Sequence, residues 1–494
     1  MNPLRVRSMS SHPARADGDF VLYWMTAYRR PRWNHSLDRA LEHATRLGKP
    51  LVVLEALRAG YRFASDRLHR FVIDGMADNH AAFAETGAVY YPYVEPRPGE
   101  GAGLLEALAR RAAIVVTDEF PCFFLPRMLA AAARKLDALG VGLEAIDGNG
   151  IYPMHETDRI FTRAFDFRRH LQRRLPEYLD ESPRAFPFRG RRLPGYRLPD
   201  AVTRRWPRIT DELLAGTGAE GLETLAIDHG VAPVSTRGGE RAGRKRLDVF
   251  VNGKLARYHE ERNDPDAEAA SGLSPYLHFG HVSAHEVFRR VAKAERWSPV
   301  ALAFEANGGR SGWWGMRPEA ESFLDQLVTW RELGYNLCSH RDDYDHYASL
   351  PDWAKHTLAV HASDERPYLY SLEQFEQAAT HDPLWNAAQR ELVREGGLQG
   401  YLRMLWGKKI LHWSRTPELA LHVMIELNNK YALDGRNPNS YSGIFWILGR
   451  YDRPWGPERP VFGKVRYMTS ESARRKLELR RYLATFGEVA PQTP

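Results

Sequence analysis

The apolar positions of the first 160 residues form short runs separated by helical segments. The runs are FVLYW (20–24), LVVLEAL (51–57), VYYPYV (89–94), IVVT (114–117) and VGLEAI (141–146). Uninterrupted apolar runs of this length are typical of strands that are buried on both faces. Because strands that alternate with helices build βαβ units, we predict that 20–160 form a doubly wound, Rossmann-like α/β domain around a parallel sheet.

A different pattern begins near residue 241, where strand-like runs stop and helical periodicity takes over. Helices are predicted at 283–295, 318–333, 371–379, 382–397, 399–413 and 416–429. Ser371 and Gln374 have the spacing of a capping box, and Gly396 with Gly397 is typical of a helix C-terminus. We therefore predict an all-α domain over 241–494.

The stretch between these regions has the composition of a connector. It contains five prolines from Pro176 to Pro199 and nine arginines from Arg168 to Arg197. Proline interrupts both helices and sheets, and a run of arginines usually forms a solvated face. We predict a linker over 161–240. We also predict a disordered leader over 1–19, which is polar and lacks the apolar segment of a secretory signal.

Composition narrows the function classes. The 494 residues contain no apolar run of 18 residues, as a membrane helix would need. Cys122 and Cys338 are too few for a disulfide framework, and the 19 histidines show no zinc-ligand spacing. We therefore expect a cytoplasmic protein without a metal. The net charge of +7 favours a polyanionic partner such as DNA.

Common catalytic fingerprints are missing, whereas tryptophan is abundant. The sequence has no Gly-rich dinucleotide loop after its first predicted strand, no P-loop and no GxSxG elbow. Ten of the 13 tryptophans follow residue 296. Trp406 and Trp413 lie two turns apart on one predicted helix, and Trp385 lies on the helix before it. They are either core aromatics or a ladder of oxidisable indoles, and spacing alone does not decide.

Two loops are further candidates for ligand binding. Small residues at 270–274 precede Pro275, and the backbone N–H groups of a helix start bind anions such as pyrophosphate. A simple Ser-capped helix would have the same pattern. The second loop lies in LNNKYALDGRNPNSYSGIFW (427–446), where Asn, Asp and Arg cluster between apolar segments. It is either a polar surface loop or a loop that faces a ligand.

Five motifs together resemble the photolyase/cryptochrome superfamily, and within it the class II cyclobutane pyrimidine dimer photolyases. They are SGLSPYLHFG (271–280), THDPLWNAAQRELV (380–393), GYLRMLWGKKILHW (400–413), LNNKYALDGRNPNSY (427–441) and YDRPWGPERPVFGKVRYM (451–468). The α/β half agrees more loosely, through VLYWM (21–25) and VVTD (115–118). The resemblance implies light-driven repair of dimers in UV-damaged DNA, by electron transfer from photoexcited reduced FAD to a flipped-out lesion.

The resemblance also implies which residues hold the cofactors. The FAD contacts would be Tyr258, Ser271, Gly272, Leu273 and Ser274 at the phosphates, the pair Arg403–Asp434 beside the isoalloxazine ring, Asn428 at flavin N5, and Arg436 and Asn437 at the flavin or ribityl edge. An amide suits N5 because it offers both a donor and an acceptor. The α/β domain would carry an antenna chromophore of the 8-hydroxy-deazaflavin type, and the protein would act as a monomer.

The remaining implied roles concern the lesion and electron transfer. Trp330 and Trp446 would grip the dimer beside Met404 and Gln326, and Lys464 and Arg466 would lie at the DNA edge. The electron-transfer triad would be Trp406 (proximal), Trp385 (middle) and Trp413 (surface end).

The sequence departs from the family pattern near this site. Gln326 stands where the family usually has a glutamate, and Asn429 and Asn437 replace more acidic residues. A glutamine can donate to a carbonyl but cannot supply a proton as a carboxylic acid does. Gln326 favours an alternative, a cryptochrome-like flavin photoreceptor without efficient repair, whereas the short PQTP ending disfavours it. A (6-4) photolyase would want a histidine pair, for which His278 and His281 are the candidates.

Overall fold

The computed structural model describes residues 1–487, so the PQTP ending lies outside the described residues. The chain divides into two compact units. The first unit holds 1–158, 174–248 and 272–299. The second holds 159–173, 249–271 and the described residues from 300 onward.

The first unit is built on a sheet to which the described residues contribute six strands. These are β1 (Val6–Ser8), β2 (Phe20–Met25), β3 (Leu51–Leu57), β4 (Val89–Val94), β5 (Ala112–Asp118) and β6 (Leu143–Ile146). Their order is β1-β6-β5-β2-β3-β4, and only β1 is antiparallel to its neighbour. In the central register, Tyr23 of β2 lies opposite Val53 of β3 and Val116 of β5. The predicted doubly wound α/β fold is confirmed.

Alternation along the central strands builds a core on each face of the sheet. Leu22 and Trp24 of β2 pack into one core and Val21 and Tyr23 into the other. Each face must be covered because β2 is apolar at every position. Leu37 and the rest of the apolar stripe of the first helix cover one of the two faces.

The α-helices are numbered along the whole chain. The first eleven are α1 (His35–Leu47), α2 (Asp66–Phe83), α3 (Leu104–Ala109), α4 (Leu125–Ala138), α5 (Ala164–Arg174), α6 (Asp200–Arg205), α7 (Asp211–Ala215), α8 (Glu240–Val249), α9 (Tyr258–Glu261), α10 (Ser274–His278) and α11 (Ala284–Ala294). Short 3₁₀-helices lie at Pro3–Arg5, Leu175–Tyr178, Leu222–Thr224, Leu255–Arg257, Pro299–Ala301 and Tyr347–Ser349.

The rest of the second unit is helical over the residues described. Its later helices are α12 (Pro318–Leu324), α13 (Arg331–His340), α14 (Asp352–Val360), α15 (Leu372–Glu376), α16 (Pro383–Glu395), α17 (Gly400–Trp413), α18 (Pro417–Tyr431), α19 (Pro438–Ile447), α20 (Ser470–Lys476) and α21 (Arg480–Phe486). Two π-helical segments, Phe250–Lys254 and Asp325–Trp330, interrupt the α-helices. The capping box of Ser371 and Gln374 and the left-handed C-cap at Gly396 are confirmed.

The N-terminal segment differs from the predicted disordered leader. Residues Val6–Ser8 form the edge strand β1, which pairs with β6 on one side only. Because its sequence VRS is mostly polar, the pattern of apolar residues does not predict it. The buried Arg5 guanidinium donates to the carbonyl oxygens of Asp147, Gly150 and Ile151, at 3.3, 3.2 and 2.6 Å. These hydrogen bonds fix the segment against the first unit, which a count of apolar residues does not reveal.

The predicted linker 161–240 also differs from what the structure shows. Its residues 161–173 belong to the second unit, and 174–240 belong to the first. Sparse apolar side chains anchor the latter part in two cores of the sheet unit. They are Leu198, Val202, Trp206, Ile209, Leu214, Leu222 and Leu225. The prolines and arginines that indicate a linker lie between these anchors.

None of the described helices is long and apolar enough to cross a membrane. Within residues 1–487, no group of three His, Cys, Asp or Glu side chains is placed to hold a metal ion.

Candidate active site

Two tryptophans from different helices stack on each other in the second unit. Trp330 ends the π-helical segment Asp325–Trp330 and Trp446 lies on α19. Their ring centroids are 4.9 Å apart and their planes differ by 28°. Both indoles are half-buried, so each keeps surface for another flat partner. The sequence prediction that these two residues act together therefore has a geometric basis.

Glycines bring the helices of this site close together. A Cβ atom at Gly334 of α13 would lie 2.8 Å from both Pro438 O and Ser442 Oγ of α19. A Cβ atom at Gly407 of α17 would meet the Ile447 side chain. At Gly334 the contact is with backbone, so α13 and α19 would have to move apart, whereas at Gly407 the end of the Ile447 side chain would have to shift. The two glycines therefore let α19 pack closely on both α13 and α17.

An amide and an ion pair lie on α17, α18 and the loop that follows α18. Asn428 is 3% exposed, and its Nδ2 donates to Ser440 Oγ at 2.7 Å. Within residues 1–487, no donor is bonded to its Oδ1. Arg403 of α17 pairs with Asp434 at 3.1 Å, and both side chains are partly exposed. This arrangement offers one open acceptor and one accessible ion pair to a ligand.

Arg436 and Asn437 are committed to the loop itself. The Arg436 guanidinium donates to Ala432 O at 3.0 Å and Leu433 O at 3.2 Å, and also to Asn429 O. Its φ of +58° curls the chain so that the side chain points back to the end of α18. Asn437 is the N-cap of α19, with Oδ1 accepting from Asn439 N at 2.9 Å. The Arg436 side chain thus bonds the loop to the end of α18, and the Asn437 side chain caps α19.

The three tryptophans of the predicted ladder are buried and connected. Trp385 Nε1 donates to the backbone oxygen of Trp406 at 2.9 Å, and its ring lies 5.9 Å from that of Trp413. Trp406 Nε1 donates to Gln389 Oε1 at 2.9 Å. The indole N–H groups of Trp385 and Trp406 thus both have a hydrogen-bond partner, as buried polar groups require. Trp385 thus contacts the ring of Trp413 and the backbone of Trp406, both on α17.

Trp413, predicted as the surface end of the triad, is only 1% exposed. Its ring contacts Tyr370 at 5.7 Å and His381 at 4.9 Å. His381 stacks at 3.7 Å on Tyr368, which is 46% exposed. The aromatic path therefore reaches solvent through His381 and Tyr368, because the end of α17 is covered by the segment around Tyr370.

Comparisons with known proteins decide the family. No protein-family profile matches the chain. The chain is 34% identical over 480 residues to a deoxyribodipyrimidine photo-lyase of Methanothermobacter thermautotrophicus, covering 97% of each protein. It is 34% identical over 503 residues to a rice protein of the same name, covering 96% of this chain and 89% of that protein. The chain belongs to the photolyase family.

A solved structure supports the photolyase fold independently. It is the crystal structure of a bacterial class III photolyase from Agrobacterium tumefaciens, with a TM-score of 0.62 and 18% identity. The match covers 91% of this chain and 84% of that chain. At this identity the likeness concerns the fold alone.

The segments implied to hold phosphates in this photolyase lie in both units. Tyr258 is buried, and its ring packs edge-on against Phe250 at 5.6 Å and Phe323 at 5.4 Å. Ser271 belongs to the second unit, whereas Gly272, Leu273 and Ser274 belong to the first. Leu273, not a serine, is the N-cap of α10, and no side chain caps that helix. The simple Ser-capped interpretation is therefore wrong.

The segment implied to form the DNA edge contains an aromatic residue that sequence reasoning missed. Trp455 is partly exposed, and its ring lies between Arg453 at 5.0 Å and Arg466 at 5.2 Å. The backbone N–H of Trp455 donates to Lys464 O at 2.9 Å, and Lys464 Nζ pairs with Glu458 at 3.3 Å. The signal was present in the sequence, since DRPW places an arginine two residues before a tryptophan.

Two further implied residues have plain positions. Gln326 lies in the same π-helical segment as Trp330 and is half-buried, and Met404 is half-buried on α17 beside Arg403.

His281 lies in the first unit, where burial lowers its pKa to about 3 and Gly239 N donates to its Nδ1 at 2.9 Å. His281 is thus a buried hydrogen-bond acceptor within the first unit.

Proposed function

We propose that this photolyase is a class II enzyme that repairs cyclobutane pyrimidine dimers in UV-damaged DNA with light. The observation that carries the proposal is the stacked, half-buried pair of Trp330 and Trp446, with Gln326 on the same π-helical segment. Two adjoining indoles offer a flat apolar surface to a dimer that has left the helix. Extrusion costs less for a damaged pair than for an intact one. We expect the protein to work as a monomer in the cytoplasm.

The residues around α17 and α18 fit FAD. The open Oδ1 of Asn428 can accept from a protonated flavin N5, and a turned amide can donate to an unprotonated one. The accessible Arg403–Asp434 pair gives the isoalloxazine ring a polar edge. When bound in its reduced, photoexcited form, FAD supplies the electron that splits the dimer. Arg436 and Asn437 would lie at the flavin or ribityl edge, where the hydrogen bonds of Arg436 within the loop and of Asn437 at the start of α19 would hold that edge in place.

Gln326 and the basic residues Arg466 and Lys464 would contact different parts of the DNA. The Gln326 amide would donate to a carbonyl of the dimer and so orient it on the indole pair. Arg466 and Lys464 would contact phosphates, which adds affinity but no selectivity for the lesion. Met404 and the indoles would exclude water from the splitting bond.

The tryptophan path would serve photoreduction of the cofactor. Electrons would enter from solvent and pass through Trp413 and Trp385 to Trp406, since each of these contacts the next. The buried position of Trp413 adds His381 and Tyr368 as the outermost aromatic groups of this path.

The first unit has a place that fits a flat antenna chromophore of the 8-hydroxy-deazaflavin type. Beyond the carboxyl ends of β3 and β5, Tyr61 stacks on Phe124 at 5.4 Å and Phe63 on Phe123 at 6.4 Å. Phe63 and Phe123 have φ values of +76° and +62°. Bulky residues rarely adopt this conformation, and such strain concentrates at ligand clamps. Phe123→Ala should abolish binding of added 8-hydroxy-deazaflavin, measured by its fluorescence, and unchanged binding would remove this assignment.

One illumination experiment tests the repair proposal. The reduced, flavin-loaded protein is mixed with a dimer-containing oligonucleotide under blue light, and intact thymines are counted. We expect their number to rise with the light dose. If no dimers are lost while the flavin still photoreduces, the cryptochrome-like alternative that Gln326 favours would replace repair. A parallel sample with a (6-4) lesion should show no repair.

A further inference from the structure

A buried carboxylate holds one of the two stacked indoles. Asp325 Oδ2 accepts a hydrogen bond from Trp330 Nε1 at 3.1 Å. The same carboxylate takes two hydrogen bonds from Arg168 of α5, at 2.7 and 3.2 Å. The side chains of Arg168 and Asp325 are only 7% and 10% exposed. A half-buried indole is thus tied to a charge pair that solvent does not screen.

The π-helical backbone makes this hydrogen bond geometrically accessible. Asp325 and Trp330 are five residues apart, so an α-helix would place their side chains about 140° apart. The i→i+5 repeat of the segment Asp325–Trp330 brings them onto one face. Such π-helical turns occur frequently at functional sites. The π-helical turn therefore lets the Asp325 carboxylate reach the Trp330 indole N–H.

Arg168 forms a bidentate ion pair with the buried carboxylate of Asp325. A buried carboxylate is costly unless it is paired, and here a bidentate guanidinium compensates it. Hydrogen bonds to a charged acceptor are about twice as strong as neutral ones. The indole of Trp330 is consequently fixed at its N–H end, while its face stacks on Trp446.

We propose that Arg168 and Asp325 are positioning residues that hold the Trp330 indole in the orientation required to stack on the flipped-out dimer. The inference rests on the proposed function, in which Trp330 contacts the lesion. The pair adds no chemistry of its own. It raises affinity for the lesion by removing the rotational freedom that Trp330 would otherwise lose on binding.

A purely structural role is the competing explanation. Arg168 Nη1 also donates to Gly308 O at 3.4 Å, and the Gln172 amide accepts from Gly308 N at 2.7 Å and donates to Gly309 O at 3.0 Å. These contacts attach α5 to the segment 307–309 whatever Trp330 does. The test must therefore separate an effect that passes through Trp330 from a loss of general stability.

A double-mutant cycle makes that separation. We expect Asp325→Asn to weaken binding of a dimer-containing oligonucleotide about ten-fold, because the indole loses a charged acceptor. Repair per bound dimer should stay unchanged, and so should photoreduction of FAD. In a Trp330→Phe background, which has no indole N–H, the same Asp325→Asn change should have no further effect on binding.

The outcomes distinguish this inference from the proposed function. If Trp330→Phe alone leaves dimer binding intact, the proposed lesion contact fails. If Trp330→Phe weakens binding but Asp325→Asn weakens it equally in both backgrounds, only the positioning role fails. Asp74→Asn is the matched control, since it breaks the buried pair with Arg70 in the first unit. We expect it to lower stability without changing the affinity for the dimer.

A second measurement keeps the inference testable if Asp325→Asn does not fold. In wild-type protein labelled with ¹⁵N-tryptophan, the Trp330 indole signal is the one missing from Trp330→Phe. We expect its N–H to exchange slowly with deuterium, because the bonded acceptor is buried. Exchange at the rate of a free indole would overturn the proposal.

Discussion

Gln326 is the residue at which the proposed site offers an amide where the family usually has a carboxylic acid. It is half-buried beside the anchored Trp330, so a replacement of the same length meets the same surroundings. Because a carboxylic acid can donate a proton as well as a hydrogen bond, we expect Gln326→Glu to raise the number of dimers split per absorbed photon several-fold. The measurement is the quantum yield with reduced enzyme at saturating substrate. Gln326→Leu is the control, and it should lower the yield.

A second prediction concerns Lys408 and the pH dependence of the free energy of unfolding. The side chain is buried on α17 and donates to Ile447 O at 2.5 Å, next to Trp446. Burial lowers its pKa to about 7; Asp452 acts to raise the pKa and Arg466 to lower it further. The unfolded chain keeps this proton up to the ordinary lysine pKa of 10.5. Between these two values the unfolded state binds more protons, so the free energy of unfolding rises with pH.

Replacing Lys408 should remove that rise. We expect Lys408→Met to flatten the increase in unfolding free energy above pH 7 by up to about 1.4 kcal/mol per pH unit. Denaturant unfolding at several pH values between about 7 and 10 measures it. The partly exposed Lys355→Met should keep the wild-type slope. An unchanged slope in Lys408→Met would show that the lysine is not buried in the folded protein.

Residue identity predicted some contacts in the loop after α18 but not others. Asp434 forms the predicted ion pair with Arg403, and Asn428 near the end of α18 keeps the acceptor that the proposed flavin site would use. Arg436 carries an equally suitable side chain, yet its φ of +58° turns it onto the carbonyls at the end of α18. That conformation depends on how the loop closes, and neighbouring residue types do not encode it visibly.

At the scale of elements, α17 carries residues that we propose for two different processes. Arg403 and Met404 lie near its start, and Trp406 and Trp413 follow along it. Photoreduction and dimer splitting can therefore be separated by substitution within one helix. We expect Trp406→Phe to abolish photoreduction of oxidised flavin while leaving repair by chemically reduced enzyme unchanged.

Flavin absorbance under blue light with an external reductant measures the first process, and dimer loss measures the second. Trp314→Phe is the matched control, because Trp314 is a buried tryptophan of the second unit outside the path. The flavin of the Trp314→Phe variant should photoreduce as in the wild-type protein. Loss of repair in chemically reduced Trp406→Phe would mean that the helix positions the flavin through this indole.

Strands that are buried on both faces could be predicted from the sequence, whereas the edge strand could not. The central strands β2, β3 and β5 are almost entirely buried and largely apolar, and the apolar runs predicted them with ends within two residues. The edge strand β1 reads VRS and gives no such signal. The 318–333 pattern predicted one continuous helix, whereas the π-helical turn Asp325–Trp330 divides it. Its stabilising contacts come from Arg168, more than 150 residues away.

For the whole molecule, sequence patterns located the sheet and the helical half but misplaced the 161–240 segment. Periodicity reports local burial, and this segment buries scattered single residues such as Trp206 and Leu222. Recognition of motifs predicted the family, which periodicity does not reveal, because motifs such as GYLRMLWGKKILHW combine helix-forming, ion-pairing and aromatic positions. The contacts that anchor Trp330 and cover Trp413 required coordinates.

The charge of the whole molecule yields the last prediction. With a net charge of +7, binding to dimer-containing DNA should weaken as salt rises, because each neutralised phosphate releases counterions. Arg466 stacks over the partly exposed Trp455 and would contact one phosphate. We expect Arg466→Gln to reduce the slope of log affinity against log salt by about one. The ratio of affinities for damaged and undamaged DNA should stay constant, since phosphate contacts carry no information about the lesion. Fluorescence anisotropy over a series of salt concentrations measures both quantities. The exposed Arg415→Gln serves as a control with an unchanged slope. A change in the affinity ratio with an unaltered slope would instead place Arg466 against the lesion.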